Sequence, residues 1–125
     1  MAVSIEHSAS FLSLLKKLSR EEKKLIGEFV ISLKNSGYEK LPGRNKRTTQ
    51  VSKRCANRVK LIQFALEHRL WHYHVGHVDY DKQKRFGDWT SEYVVHYQKN
   101  GDDTARFVHY DSHPPMKMPR KEHLV

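Results

Sequence analysis

Arg69-Leu70-Trp71-His72-Tyr73-His74-Val75-Gly76-His77 holds three of the nine histidines of the chain, and its reading decides the rest. Trp71, Tyr73 and Val75 alternate with His72 and His74. Successive strand side chains point to opposite faces, so this is a strand with one apolar face and one imidazole face. With the apolar face on the core, the histidines face out. An imidazole titrates near neutral pH, and two aligned on a surface suit acid-base work on an anion. They equally suit a polar solvated face, or a pair of stacked surface rings with no role.

Downstream, 79–91 reads as a polar loop of mixed charge holding Lys82, Lys84, Arg85, Gly87 and Trp89. Glu92 to Gln98 then alternates again, with Tyr93, Val95 and Tyr97 on one side and Val94 and His96 on the other. Asn100-Gly101-Asp102 supplies a hairpin turn. Thr104 to Asp111 is the returning strand. Phe107 belongs in its core, while Arg106, His109 and Tyr110 fit either face because the register stays open. The segment 112–125 contains three prolines, has no period and is basic, so it reads as irregular.

Upstream, Ala2 to His7 alternates Val3 and Ile5 with polar residues, as a short strand with one buried face does. The period then changes. Phe11, Leu14, Leu15 and Leu18 recur at helical spacing, with Ser8 or Ser10 placed as the N-cap. Ser19 and Glu22 have capping-box spacing before a second stripe of Leu25, Ile26, Phe29, Val30 and Leu33, and Gly37 closes that helix. Its other face, with Arg20, Lys23, Lys24 and Lys34, reads as solvated.

Between 40 and 60 lie eight cations, Lys40, Arg44, Lys46, Arg47, Lys53, Arg54, Arg58 and Lys60, without one Asp or Glu. Such a run repels itself and is mobile when alone. Each cation held near a phosphate releases a condensed counterion, so the run suits an arm for RNA or DNA. Pro42-Gly43 marks a turn within it, and 59–66 reads as a short helix.

A chain of 125 residues with a formal charge of +9 is the size of one domain, and its charge favours a polyanionic partner. The single cysteine, Cys55, makes no internal disulfide and has no His or Asp at a nucleophile's spacing; Lys53, Arg54 and Arg58 favour its thiolate, but it reads as incidental. No secretory or membrane-spanning run is present, so a cytoplasmic protein without a membrane partner is expected. The elements assemble into an α+β fold, a small antiparallel-type sheet with an N-terminal helical hairpin packed on one face.

This layout resembles the RelE superfamily of bacterial toxins, the RelE/ParE-like fold. Residues 2–37 match its opening strand and helical hairpin. The finer texture is similar to the YafO group, through Leu-Pro-Gly-Arg at 41–44, Trp-His-Tyr-His-Val at 71–75, and His-Pro-Pro-Met-Lys-Met-Pro at 113–119. The resemblance covers nearly the whole chain and implies one toxin domain over 1–125. It also implies an mRNA interferase that cleaves mRNA, often on the ribosome, and is neutralised by a cognate antitoxin. No single catalytic set is shared across that superfamily.

Roles therefore follow from chemistry. Metal-independent RNA cleavage needs a base for the 2′-hydroxyl, cations for the phosphate and an acid for the leaving 5′-oxygen, and no cofactor. His72, His74 and His96 suit base or acid; Arg85 and Arg106 suit the phosphate. Arg44, Lys46, Arg47, Lys53 and Arg54 suit RNA binding. The resemblance places functional residues in the tail, where His113 and His123 rank ahead of His109, with Lys117 and Arg120 beside them. Two other classes stay open: a metal enzyme using His72-x-His74 with His77, and a binding module without catalysis, built on the basic arm.

Overall fold

The computed structural model describes residues 3–49, 51–112 and 118–125. Five strands form one sheet: β1 (Ser4–His7), β2 (Asn45–Arg47), β3 (Leu70–His74), β4 (Tyr93–Lys99) and β5 (Thr104–Ser112), in spatial order β1-β5-β4-β3-β2. Neighbours from β5 to β2 are antiparallel, but β1 lies parallel to β5, pairing Ser4 with Thr104 and His7 with Phe107. The sheet is therefore mixed, not purely antiparallel. Parallel neighbours cannot be joined by a tight hairpin, and here nearly the whole chain lies between β1 and β5.

Those helices are α1 (Ala9–Leu15) and α2 (Arg20–Ser36). The hydroxyl of Ser8 accepts the Phe11 amide, and Ser19 and Glu22 form a reciprocal capping box. Gly37 ends α2 with a φ of 65°, a left-handed value that a side chain disfavours. The apolar stripes bury Phe11, Ile26, Phe29 and Leu33 against Val95, Tyr97 and Phe107 of the sheet. Phe29 is the centre of this layer, stacked on Tyr73 at 4.1 Å and on Phe107 at 5.3 Å between ring centroids.

The opposite face of the sheet is not open. Helix α3 (Arg58–Glu67) and a short 3₁₀ turn, Lys121–Leu124, pack there, where Ala65, Leu70 and Val108 are buried with Phe64, Met118 and Leu124 around them. Helices thus lie on both faces, which corrects the expectation of a sheet covered on one face only. The basic run of 40–60 is likewise not a mobile arm. It contributes β2 at the sheet edge and the start of α3; of its cations Lys40, Arg47, Lys53, Arg54 and Lys60 are exposed, and Arg44, Lys46 and Arg58 are half-buried. Gly43 enters β2 so closely against β3 that a Cβ there would overlap the His74 carbonyl. No described helix is long and apolar enough to cross a membrane.

Candidate functional site

Pairing on the second face lines up side chains across four strands. Lys46 of β2 pairs with His72 of β3, His72 with His96 of β4, and His96 with His109 of β5. Same-register residues of neighbouring strands share a face, so this is one row. Ring centroids are 6.1 Å apart from His72 to His96 and 6.0 Å from His96 to His109. His74 extends the group at 6.0 Å from His72, and His123 of the C-terminal turn stacks on His109 at 3.8 Å. Five of the nine histidines thus form one continuous chain of rings.

A bulge makes this possible. Between the pairs His96–His109 and Tyr97–Phe107 the register slips by one residue, leaving Val108 as the extra residue of β5. Without that slip strict alternation would send Val108 and Tyr110 to one face and Phe107 and His109 to the other. With it, Phe107 and Tyr110 both reach the helix-side core, while Val108 and His109 both face the imidazoles. The sequence alone places His109 behind His113 and His123. The available signal was that Phe107 and Tyr110, three residues apart, both demand burial.

The inner and outer parts of the row differ. His72, His74 and His96 are only 3%, 3% and 0% exposed, which corrects the expectation that these imidazoles face outward. The His72 Nδ1 lies 3.0 Å from the Thr48 hydroxyl. The His74 Nδ1 lies 3.0 Å from the Ser91 amide nitrogen and 2.9 Å from the Ser91 carbonyl oxygen. One nitrogen cannot accept from the first while donating to the second. With its hydrogen on Nε2 the ring accepts the amide proton on Nδ1; with a hydrogen on Nδ1, as in the other tautomer or the protonated ring, it donates to the carbonyl.

The outer pair is half-buried. His109 Nε2 sits 3.5 Å from an Asp111 carboxylate oxygen, and the Arg120 amide donates to His123 Nδ1 at 3.0 Å. His109 titrates below the ordinary histidine value, chiefly because burial disfavours its charged form and then because His123 repels it, with Asp111 opposing. His123 is lowered too, by burial and then by Arg120. Both rings are therefore neutral near pH 7. The Arg120 amide occupies Nδ1 of His123, which leaves its ring hydrogen on Nε2. Asp111 favours the hydrogen of His109 on Nε2, which leaves Nδ1 as its basic site.

The remaining candidates scatter. Arg44 borders a cavity of about 430 Å³ beside His74, but its guanidinium is held by both oxygens of Asp88, at 2.7 and 3.1 Å. Lys46 ends the imidazole row, while Arg47 lies over the Trp71 ring at 5.9 Å on the helix side of the sheet. Arg106 is a tie: its Nη1 donates to Gln98 at 2.9 Å and to the Leu124 carbonyl at 2.5 Å, holding the C-terminal turn to the sheet. Arg85, Lys53, Arg54 and Arg120 are exposed. His113 and Lys117 lie outside the described residues. His77 has left the strand, 3.9 Å from Glu22 of α2, and its buried Nδ1 has no hydrogen-bond partner among the described residues. Among the described residues no three His, Cys, Asp or Glu side chains are placed to hold a metal ion. Compared with protein-family models, curated proteins and solved structures, the chain finds no match.

Proposed function

We propose that the chain is a metal-independent endoribonuclease of the kind its sequence resembles, a RelE-like mRNA interferase, and that its reactive end is the His109–His123 pair. The observation that carries this reading is a stacked pair of neutral imidazoles, one backed by a carboxylate, on a chain of formal charge +9. Neutral His109, oriented by Asp111, takes the 2′-hydroxyl proton. The 2′-oxygen attacks the phosphorus, the bond to the 5′-oxygen breaks, and that oxygen takes the Nε2 proton of His123 in its imidazolium form, the minor form near pH 7, which leaves His123 neutral and the 2′-hydroxyl proton on His109. Arg120, exposed beside the pair, supplies charge for the phosphate. The products are a 2′,3′-cyclic phosphate and a 5′-hydroxyl. The same reading brings mRNA as substrate, the ribosome as its setting and a cognate antitoxin as partner, in the cytoplasm.

The test is cleavage of RNA by the purified protein in EDTA, with and without ribosomes, followed by mapping of 5′ ends. Wild type should leave 5′-hydroxyl ends, and His109→Ala and His123→Ala should each lose roughly 10²-fold or more in rate while staying folded. A folded wild type that cuts no RNA under either condition overturns the reading. Burial of His72, His74 and His96 supports a second one, in which the row is structural and the protein only binds RNA. In that case the two substitutions leave RNA binding unchanged and no cleavage is seen.

A further inference from the structure

A second basic site lies at the end of the sheet where α3 turns into β3, on the Trp71 side and away from the imidazole row. A cavity of about 390 Å³ there has an apolar half of Trp71, Ala65 and Leu66 and a cationic half of Arg47, Arg69 and Lys99. Lys99 is fixed between two rings, with its ammonium 4.4 Å from the centroids of both Trp71 and Tyr38. Arg47 makes a looser contact with the Trp71 ring, 5.9 Å from its centroid, and Arg69 lies at the same wall. Among the described residues neither guanidinium has a hydrogen bond or ion pair, although both are at the cavity wall. The one acid present, Asp102, is 3.8 Å from Lys99 with its side chain 91% exposed at the hairpin tip, so it offsets one of three positive charges.

From this arrangement we infer that the cavity binds one nucleotide unit, its base against Trp71 and Leu66 and its phosphate on Arg47 and Arg69. The size falls in the range of small-ligand sites, roughly 300–1,000 Å³. Two guanidinium forks match phosphate oxygens, and an aromatic wall beside them gives a flat base its stacking surface. An acidic peptide would satisfy the cations but leave the Trp71 wall without a planar partner. The inference does not rest on the ribonuclease reading, since it uses no histidine.

Calorimetric titration with adenosine 5′-monophosphate, inorganic phosphate, adenosine and a hexaglutamate peptide tests it. The nucleotide should bind more tightly than phosphate or adenosine alone. Arg47→Ala and Arg69→Ala should each weaken it about tenfold, the size of one lost charge-assisted contact. Trp71→Leu should reduce nucleotide affinity to that of phosphate, and Asp102→Asn should raise it. In a Trp89→Phe background, where Trp71 is the only tryptophan, the nucleotide should change the fluorescence. The site is overturned if the nucleotide binds no better than phosphate, or if both arginine variants, folded by circular dichroism, bind it like wild type. Tighter binding of hexaglutamate than of nucleotide overturns it in favour of an acidic polypeptide.

Discussion

His109 and His123 stack with ring centroids 3.8 Å apart and planes within 9° of parallel, and an Asp111 carboxylate oxygen lies 3.5 Å from His109. Two imidazolium ions in that geometry repel, so protonating either ring makes protonating the other harder. His123→Ala removes burial and repulsion together and should move the His109 titration up toward 6.5. Asp111→Asn removes the one opposing influence and should move it further down. Imidazole NMR through a pH series measures both. Shifts in the same direction for the two variants would contradict the assignment of causes.

The same depressed values make stability depend on pH. A histidine held neutral in the folded state binds a proton more readily once unfolded, so its contribution is fully present above 6.5. That contribution falls away as pH drops from 6.5 through the lowered folded-state values of His109, His123 and the partly buried His7. Melting temperature should therefore decline below pH 6.5, and less steeply in a His109→Gln, His123→Gln double variant. An unchanged slope in that variant would assign the acid loss elsewhere.

Phe29 joins α2 to two strands at once, through Tyr73 and Phe107. It is 2% exposed, so truncation leaves a cavity that the stacked rings around it cannot fill. Phe29→Ala should cost about 3–5 kcal/mol in chemical denaturation. A loss below ~1 kcal/mol would mean that α2 is not anchored there.

Arg44, at the cavity beside His74, already has a partner. Its hydrogen bonds to Asp88 hold that carboxyl below the usual carboxylate range. The pair is solvent-accessible, so Asp88→Asn should leave the melting temperature almost unchanged. The released guanidinium should instead strengthen RNA binding and steepen its salt dependence by up to about one phosphate contact. Equal salt slopes in the variant and wild type would show that RNA does not reach this edge.

Alternation made β3 and β4 readable, and capping chemistry located both N-terminal helices, because each signal is local. What the sequence hid depends on distant partners. Strand β2 is Asn45-Lys46-Arg47, a short charged edge whose composition protects against pairing with another chain and so does not look like a strand. The parallel contact of β1 with β5 joins residues about a hundred positions apart. Burial of His72 and His74 could not be read because no local signal says on which face the short helix at 59–66 packs, and the C-terminal turn lies in a segment that reads as irregular. The imidazole row was half visible: His72, His74 and His96 follow from alternation, but His109 needs the bulge.

That bulge supplies the most direct test of how the row is built. Val108 is fully buried between Leu70 and Ala65 on the imidazole side, and it is also the residue that resets the parity of β5. Val108→Ala removes two methyl groups but keeps the residue count, so it should cost about 2 kcal/mol and leave the His109–His123 stack in place. Deleting Val108 has a different effect. The strand must then continue from Phe107 in strict alternation, which brings His109 next after it onto the imidazole face but shortens the reach of β5 to the pairs at Tyr93 and Val94 by one residue. Either every pair beyond His96 shifts or the hairpin register does, and the apolar plug between α3 and the sheet is empty in both cases. Deletion should destabilise by more than about 4 kcal/mol, in the range reserved for broken cores, and chemical denaturation of the two variants side by side measures it. Equal stability of the deletion and Val108→Ala would show that the extra residue fills space without setting register.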